Sequence, residues 1–151
     1  MSEISSPAVE TQMLIRKPVD KVFEAFIDPS ITSQFWFTRS SGKLETGKKY
    51  IWEWEMYQVS ITILVKEIQQ NKKIIIECGD PATVVEFIFQ SPGADRTYVV
   101  IREYGFQLEG EELLQKINDS TGGFTTVLDG LKAFLEHGIR LNLIGDKFAA
   151  G

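Results

Sequence analysis

Few side chains in this chain are equipped for chemistry. His137 is the only histidine and Cys78 the only cysteine. A Ser–His–Asp relay would have to use His137, but that residue ends a helical pattern, where the helix dipole favours a cation and a structural role follows. Cys78 alternates with Ile74 and Ile76, so it reads as a small buried member of a strand. A reactive thiolate would need a nearby cation, and the strand supplies only Glu77. No His and Cys spacing suits a metal ion, and Gly42, Gly47 and Gly122-Gly123 form no phosphate-cradling motif. No catalytic residue is therefore assigned, and neither a metal nor a cofactor is expected. Glu53 and Glu55 are two apart, on the face opposite Trp52 and Trp54, which reads as a solvated outer face. As an acid–base pair they would have to lie inside the sheet's curve. Glu103 is different, because it shares a face with Val99 and Ile101. Either it enters the core with them, where a carboxylate must be paired or hydrogen-bonded, or the strand twists near Gly105 and carries it to the rim.

The aromatic residues are more informative. Phe35, Trp36, Tyr50, Trp52, Trp54, Phe87, Phe89 and Phe124 all fall on positions expected to face a core. One reading is a packed core. The other is a cavity between a sheet and a helix, of ~300–1,000 Å³, apolar with a few polar groups.

The elements that must position these residues follow from periodicity. Phe124, Val127, Leu128, Leu131, Phe134 and Leu135 make one apolar stripe of a helix running from Asp119 to Gly138. Asp119, Ser120 or Thr121 is its expected N-cap and Gly138 its C-cap. Glu111–Asn118 reads as one or two separate helical turns before it. Upstream, Val9–Ile15 alternates as a strand. Val19, Val22, Phe23 and Phe26 form a short helix after Pro18. Asp28-Pro29 then starts a second, which is expected to include Ile31, Phe35 and Trp36. After a turn-rich passage at Ser40–Gly47, strands follow to Phe106. Tyr50, Trp52, Trp54 and Met56 share a face, as do Val59, Ile61, Ile63 and Val65, then Ile74, Ile76 and Cys78, then Val85, Phe87 and Phe89. Turns are expected at Gln69–Lys72, Gly79-Asp80-Pro81 and Ser91-Pro92-Gly93, and Thr97–Phe106 is the last strand. Short turns imply an antiparallel meander. The fold class is α+β: a curved six- to seven-stranded antiparallel sheet around a long C-terminal helix, with two short helices after the first strand.

The totals suit one domain spanning residues 1–151. A net charge of -5 argues against nucleic acid and anionic lipid as partners. The lone cysteine fits a reducing compartment. Met1–Pro7 lacks the features of a signal peptide, and no apolar run approaches the ~20 residues that span a bilayer. A cytoplasmic location with no membrane insertion is expected.

This order of elements resembles the helix-grip fold of the steroidogenic-acute-regulatory-related lipid-transfer superfamily (START-like or SRPBCC, also called Bet v-like or polyketide-cyclase-like). Within it the chain looks most like the family of the activator of the heat-shock-protein-90 ATPase. The resemblance is carried by Ile15-Arg16-Lys17-Pro18-Val19-Asp20-Lys21-Val22-Phe23-Glu24-Ala25-Phe26, by Asp28-Pro29 with Phe35-Trp36, and by Leu44-Glu45-Thr46-Gly47. Thr97, Tyr104-Gly105-Phe106, Gly123-Phe124, Leu128, Leu131 and Leu135 complete it. One departure is a long connection between Phe106 and Asp119. Another is that the eukaryotic activators carry a further N-terminal domain, for which this chain has no room. Such shared positions specify fold better than chemistry. The superfamily resemblance implies a non-enzymatic protein that takes a small hydrophobic ligand between sheet and helix. Phe35, Trp36, Trp52, Trp54, Cys78, Phe87, Glu103, Gly123, Phe124 and Val127 are its candidate ligand-binding residues. The nearer family implies an alternative, a chaperone-interacting module that stimulates an ATPase. A third reading, a cyclase- or hydrolase-like enzyme using Glu103 or Tyr104, lacks a nucleophile–base pair.

Overall fold

The computed structural model describes residues 7–148, so most of the Met1–Pro7 stretch read for a signal peptide lies outside it. Seven antiparallel strands form one sheet in the order β1-β7-β6-β5-β4-β3-β2. They are β1 (Ala8–Ile15), β2 (Arg39–Ser40), β3 (Lys49–Trp54), β4 (Val59–Gln69), β5 (Lys73–Cys78), β6 (Thr83–Gly93) and β7 (Arg96–Tyr104). The chain's first strand closes on its last, with Thr11 opposite Ile101. Between β1 and β2 lie α1 (Val19–Ile27) and α2 (Pro29–Thr32). The long helix α3 (Gly110–His137) follows β7, and a short α4 (Leu143–Asp146) comes last. This is the helix-grip arrangement, with an open sheet.

Local chemistry explains the helix ends. Asp28 caps α2 as its residue type predicts: Oδ1 accepts from the Ser30 N–H at 2.9 Å, with Pro29 in the first turn. These Ser30 hydrogen bonds hold the Asp28 carboxyl below its ordinary range. Gly138 ends α3 with φ 66°, a left-handed conformation that glycine adopts without penalty.

The core lies between the concave face of the sheet and the two helical layers. Val22, Phe23 and Phe26 of α1, Val85, Phe87 and Phe89 of β6, and Val127, Leu128 and Leu131 of α3 are all buried. α3 is stitched along the edge strand β1. Thr125 and Thr11 hydroxyls meet at 3.0 Å, the Lys132 ammonium donates to the Leu14 carbonyl at 2.8 Å, and the Arg16 N–H donates to Glu136 at 2.8 Å.

Several boundaries differ from the sequence reading. Glu111–Asn118 is not a separate turn but the start of α3, and Asp119, Ser120 and Thr121 lie inside the helix rather than capping it. Leu113, Ile117, Ser120 and Phe124 are each partly buried at helical spacing, so tertiary contacts carry the helix through the Gly122-Gly123 pair. The long connection between Phe106 and Asp119 is thus mostly helix. α2 stops at Thr32, leaving Phe35 and Trp36 on the loop that follows. β3 ends at Trp54, and Met56 and Tyr57 form a 3₁₀ turn closed by Gln58 at φ 52°. β6 runs through Ser91-Pro92 to Gly93, beyond the turn expected there. The pairing with β7 shifts after Gln90, in an irregular end that tolerates proline. β7 ends at Tyr104, where Gly105 takes φ 82°, so Phe106 lies outside the sheet.

Candidate functional site

Because α3 is fastened along β1, its N-terminal half stands away from β3 and β4 on the other side of the sheet. A cavity of about 450 Å³ fills the wedge. The helix contributes Gly123, Phe124 and Val127 to its wall, with Lys116, Asp119 and Ser120 toward one end. The sheet contributes Trp54, Val59, Ile61, Cys78 and Glu103. Trp36 separates the cavity from the aromatic core, its ring 4.9 Å from Trp52, 5.9 Å from Phe87 and 6.0 Å from Phe124.

The remaining wall comes from a region to which the sequence reading assigned nothing. Beyond Gly138 the chain turns back over the opening as a strap that includes α4, and Ile144, Lys147 and Phe148 line the cavity. Tyr57 anchors the strap. Its hydroxyl donates to the Ile144 carbonyl at 2.5 Å and lies 3.2 Å from that of Gly145, and its ring meets Phe148 edge-on at 5.9 Å. Apart from Tyr57 itself, the only available signal was the apolar set Leu141, Leu143, Ile144 and Phe148, too short to show a period.

Of the ten candidate ligand-binding residues, seven share this wall: Trp36, Trp54, Cys78, Glu103, Gly123, Phe124 and Val127. Phe35, Trp52 and Phe87 lie off it. Trp52 is stacked on Phe37 at 4.9 Å, Phe87 packs on Phe26 at 5.2 Å, and Phe35 meets Phe26 edge-on at 5.7 Å. All three are consumed by the packed core that forms the cavity's floor and flank.

Glu103 enters the core with Val99 and Ile101, only 3 % exposed. The Thr83 hydroxyl donates to its Oε2 at 2.5 Å. Its Oε1 is buried with no hydrogen-bond partner among the described residues. Burial first, then the negative charge of Glu103, pushes the Cys78 thiol up to about 12, against an opposing pull from Lys116. Cys78 is therefore a neutral thiol at physiological pH and a poor nucleophile. Tyr104, the other residue considered for catalysis, faces the opposite side of the sheet, where its hydroxyl donates to Glu86 at 2.6 Å. Glu53 pairs with Arg39 at 3.0 Å outside the cavity. His137 is exposed at the end of α3, 3.9 Å from Glu136. Among the described residues no group of three His, Cys, Asp or Glu side chains could hold a metal ion.

The family described as Activator of Hsp90 ATPase homolog 1-like protein matches residues 16–136. The chain belongs to this family. Three solved structures illustrate its neighbourhood. Protein SSP2350 from Staphylococcus saprophyticus is 29% identical, with a TM-score of 0.78 over 89% of this chain and 96% of its own. The Aha1 dimer from Colwellia psychrerythraea is 14% identical, with a TM-score of 0.74 over 87% and 98%. CalU16 from Micromonospora echinospora is 18% identical, with a TM-score of 0.70 over 91% and 79%. No curated protein matches the chain. The family match begins at Arg16, just after β1, and ends at Glu136 in the last turn of α3, so the strap that lines one side of the cavity lies outside the matched residues. No helix among the described residues is long and apolar enough to cross a membrane.

Proposed function

We propose that this family member is a non-enzymatic binding protein that takes a small hydrophobic molecule into the cavity between the sheet and α3. The observation that carries this reading is the cavity itself. Its volume of about 450 Å³ falls in the range of small-molecule sites, and its wall is mainly aromatic and aliphatic. The polar groups on the wall make no nucleophile–base pair, since Cys78 is held as a thiol and Glu103 already accepts from Thr83. Residence in the cytoplasm belongs to the same proposal, supported by the single cysteine.

The test is titration of an apolar fluorescent probe, following its emission and the quenching of Trp36 and Trp54. Saturable binding at micromolar concentration, about -8 kcal/mol, is expected, and absence of saturation would overturn the reading.

A second reading, a chaperone-docking module that stimulates an ATPase, draws support from the family's description and from exposed apolar side chains around the strap. Met56, Val59, Leu141 and Phe148 are each about half exposed, at 47%, 51%, 48% and 61%, and such patches serve protein contacts. The ATPase rate of an Hsp90-type chaperone with and without the protein decides it: no stimulation at saturating protein removes the reading.

A further inference from the structure

Three buried polar side-chain atoms have no hydrogen-bond partner among the described residues: the Tyr50 hydroxyl, the Trp52 indole N–H and Glu103 Oε1. Tyr50 and Trp52 belong to the packed core and lie off the cavity wall, whereas Glu103 is part of that wall. Its other surroundings offer nothing to Oε1. Val9 and Val85 flank it in register on the two neighbouring strands, each 1% exposed, and Ile101 precedes it on the same face, fully buried. Thr83 has a single hydroxyl proton, and it is given to Oε2. A donor can therefore reach Oε1 only from the cavity side.

A buried oxygen left unpaired is costly, more so when it belongs to a carboxylate. A purely apolar ligand would seal that cost in, because it excludes water and brings no proton. A ligand that carries a donor to this point removes it. The same ligand must present rings or chains to Trp36, Trp54, Phe124 and Phe148, which line the same cavity.

Building on the binding reading above, we infer that the ligand is a ring-bearing apolar molecule with a hydrogen-bond donor, an O–H or N–H, at its inner end, and that Glu103 Oε1 accepts that bond. Glu103 then sets the orientation as well as the choice of ligand: the donor end goes to the floor, and the apolar body lies under the strap.

Three probes of one ring system test this. Naphthol carries a neutral donor, its methyl ether carries the same rings with an acceptor only, and naphthylmethylammonium carries a cationic donor. Wild type is expected to bind naphthol at least roughly tenfold more tightly than the ether, the order expected for a hydrogen bond to a carboxylate. The tighter of naphthol and the ammonium identifies the donor as neutral or cationic, and either result supports the inference provided both exceed the ether. Glu103→Leu should bind naphthol and the ether alike, with its fold checked by circular dichroism. If that variant fails to fold, Glu103→Gln keeps the shape. Its amide can donate to the ether oxygen, so the preference should shrink severalfold. Equal binding of naphthol and ether by wild type, or a preference that survives in a folded Glu103 variant, overturns the inference and leaves the binding reading standing. Binding of none of the probes overturns both.

Discussion

Gly123→Leu makes a demanding test, because stability and binding should move in opposite directions. A Cβ built at Gly123 meets nothing within 4 Å, and the residue lies on the cavity wall inside α3. Glycine in a helix interior costs about 0.8–1 kcal/mol relative to alanine, and leucine is close to alanine. The new side chain also covers apolar wall, at about 0.8 kcal/mol for each methylene removed from water. With part of the leucine still exposed in the cavity, the sum is a gain of about 2 kcal/mol. For a chain of this size that raises Tm by roughly 4–8 °C. The same atoms occupy space that a ligand needs, so naphthol affinity should fall at least roughly tenfold, about 1.4 kcal/mol. Gly130 supplies the contrast on the same helix. Its Cβ would stand 3.3 Å from the Phe35 carbonyl oxygen and 3.4 Å from Phe35 Cβ, so Gly130→Leu should destabilise by about 1–3 kcal/mol through overpacking. Thermal melts by circular dichroism and naphthol titrations read both effects. A Gly123→Leu protein that melts well below wild type, or binds naphthol unchanged, would refute the reasoning.

Three further outcomes are expected. Leu131 is fully buried in the centre of the α3 stripe, so Leu131→Asp should unfold the chain at a cost of several kcal/mol, and a wild-type melting temperature would contradict the packing described. Burial pushes the Glu136 carboxyl up, but bonds from Lys132 and the Arg16 N–H outweigh it and leave it below its ordinary 4.5. A depressed folded value means that the carboxylate's contribution is complete above about pH 4.5 and lost as pH falls through the lower folded value. Glu136→Gln should therefore lose about 1–2 kcal/mol in urea unfolding at neutral pH, with the gap closing in acid; a gap independent of pH would exclude this. Tyr57→Phe removes the hydroxyl that holds the strap, so amide hydrogen exchange across Leu143–Asp146 should quicken while that of β5–β7 stays unchanged, and unaltered exchange in α4 would show that the strap is held by other contacts.

The fold was legible where one face of an element is fully used. The α3 stripe through Val127, Leu128 and Leu131, and the alternation in β5, β6 and β7, each bury one side, so period and burial coincide. Legibility failed where tertiary contact overrides local preference. Gly122-Gly123 looks like a helix boundary because glycine disfavours helices, yet the stripe through Leu113, Ile117 and Phe124 carries the helix across it. For the cavity, alternation could say that Trp52 and Trp54 face inward but not which ring meets another ring and which meets open space. Trp52 is covered by Phe37 and Trp36, whereas Trp54, two residues later, lies at the cavity. The strap was illegible because its few apolar residues gain meaning only from Tyr57, nearly ninety residues earlier.

The pairing of β1 with β7 also bears on how the protein is made. About 90 residues of chain lie between Thr11 and its partner Ile101, and the helix that fastens to β1 comes later still. At about 5–20 residues per second, the ribosome delivers that partner roughly 5–20 s after β1 emerges. The meander from β2 to β6 can assemble in this interval, since each of its strands pairs with the next. Until β7 arrives the backbone of β1 has no strand to pair with, and its side toward α3, which carries Thr11, waits longer still. A nascent chain stalled before Arg96 thus carries an orphan strand beside a sheet with an open edge, the pairing of surfaces that favours aggregation on the ribosome.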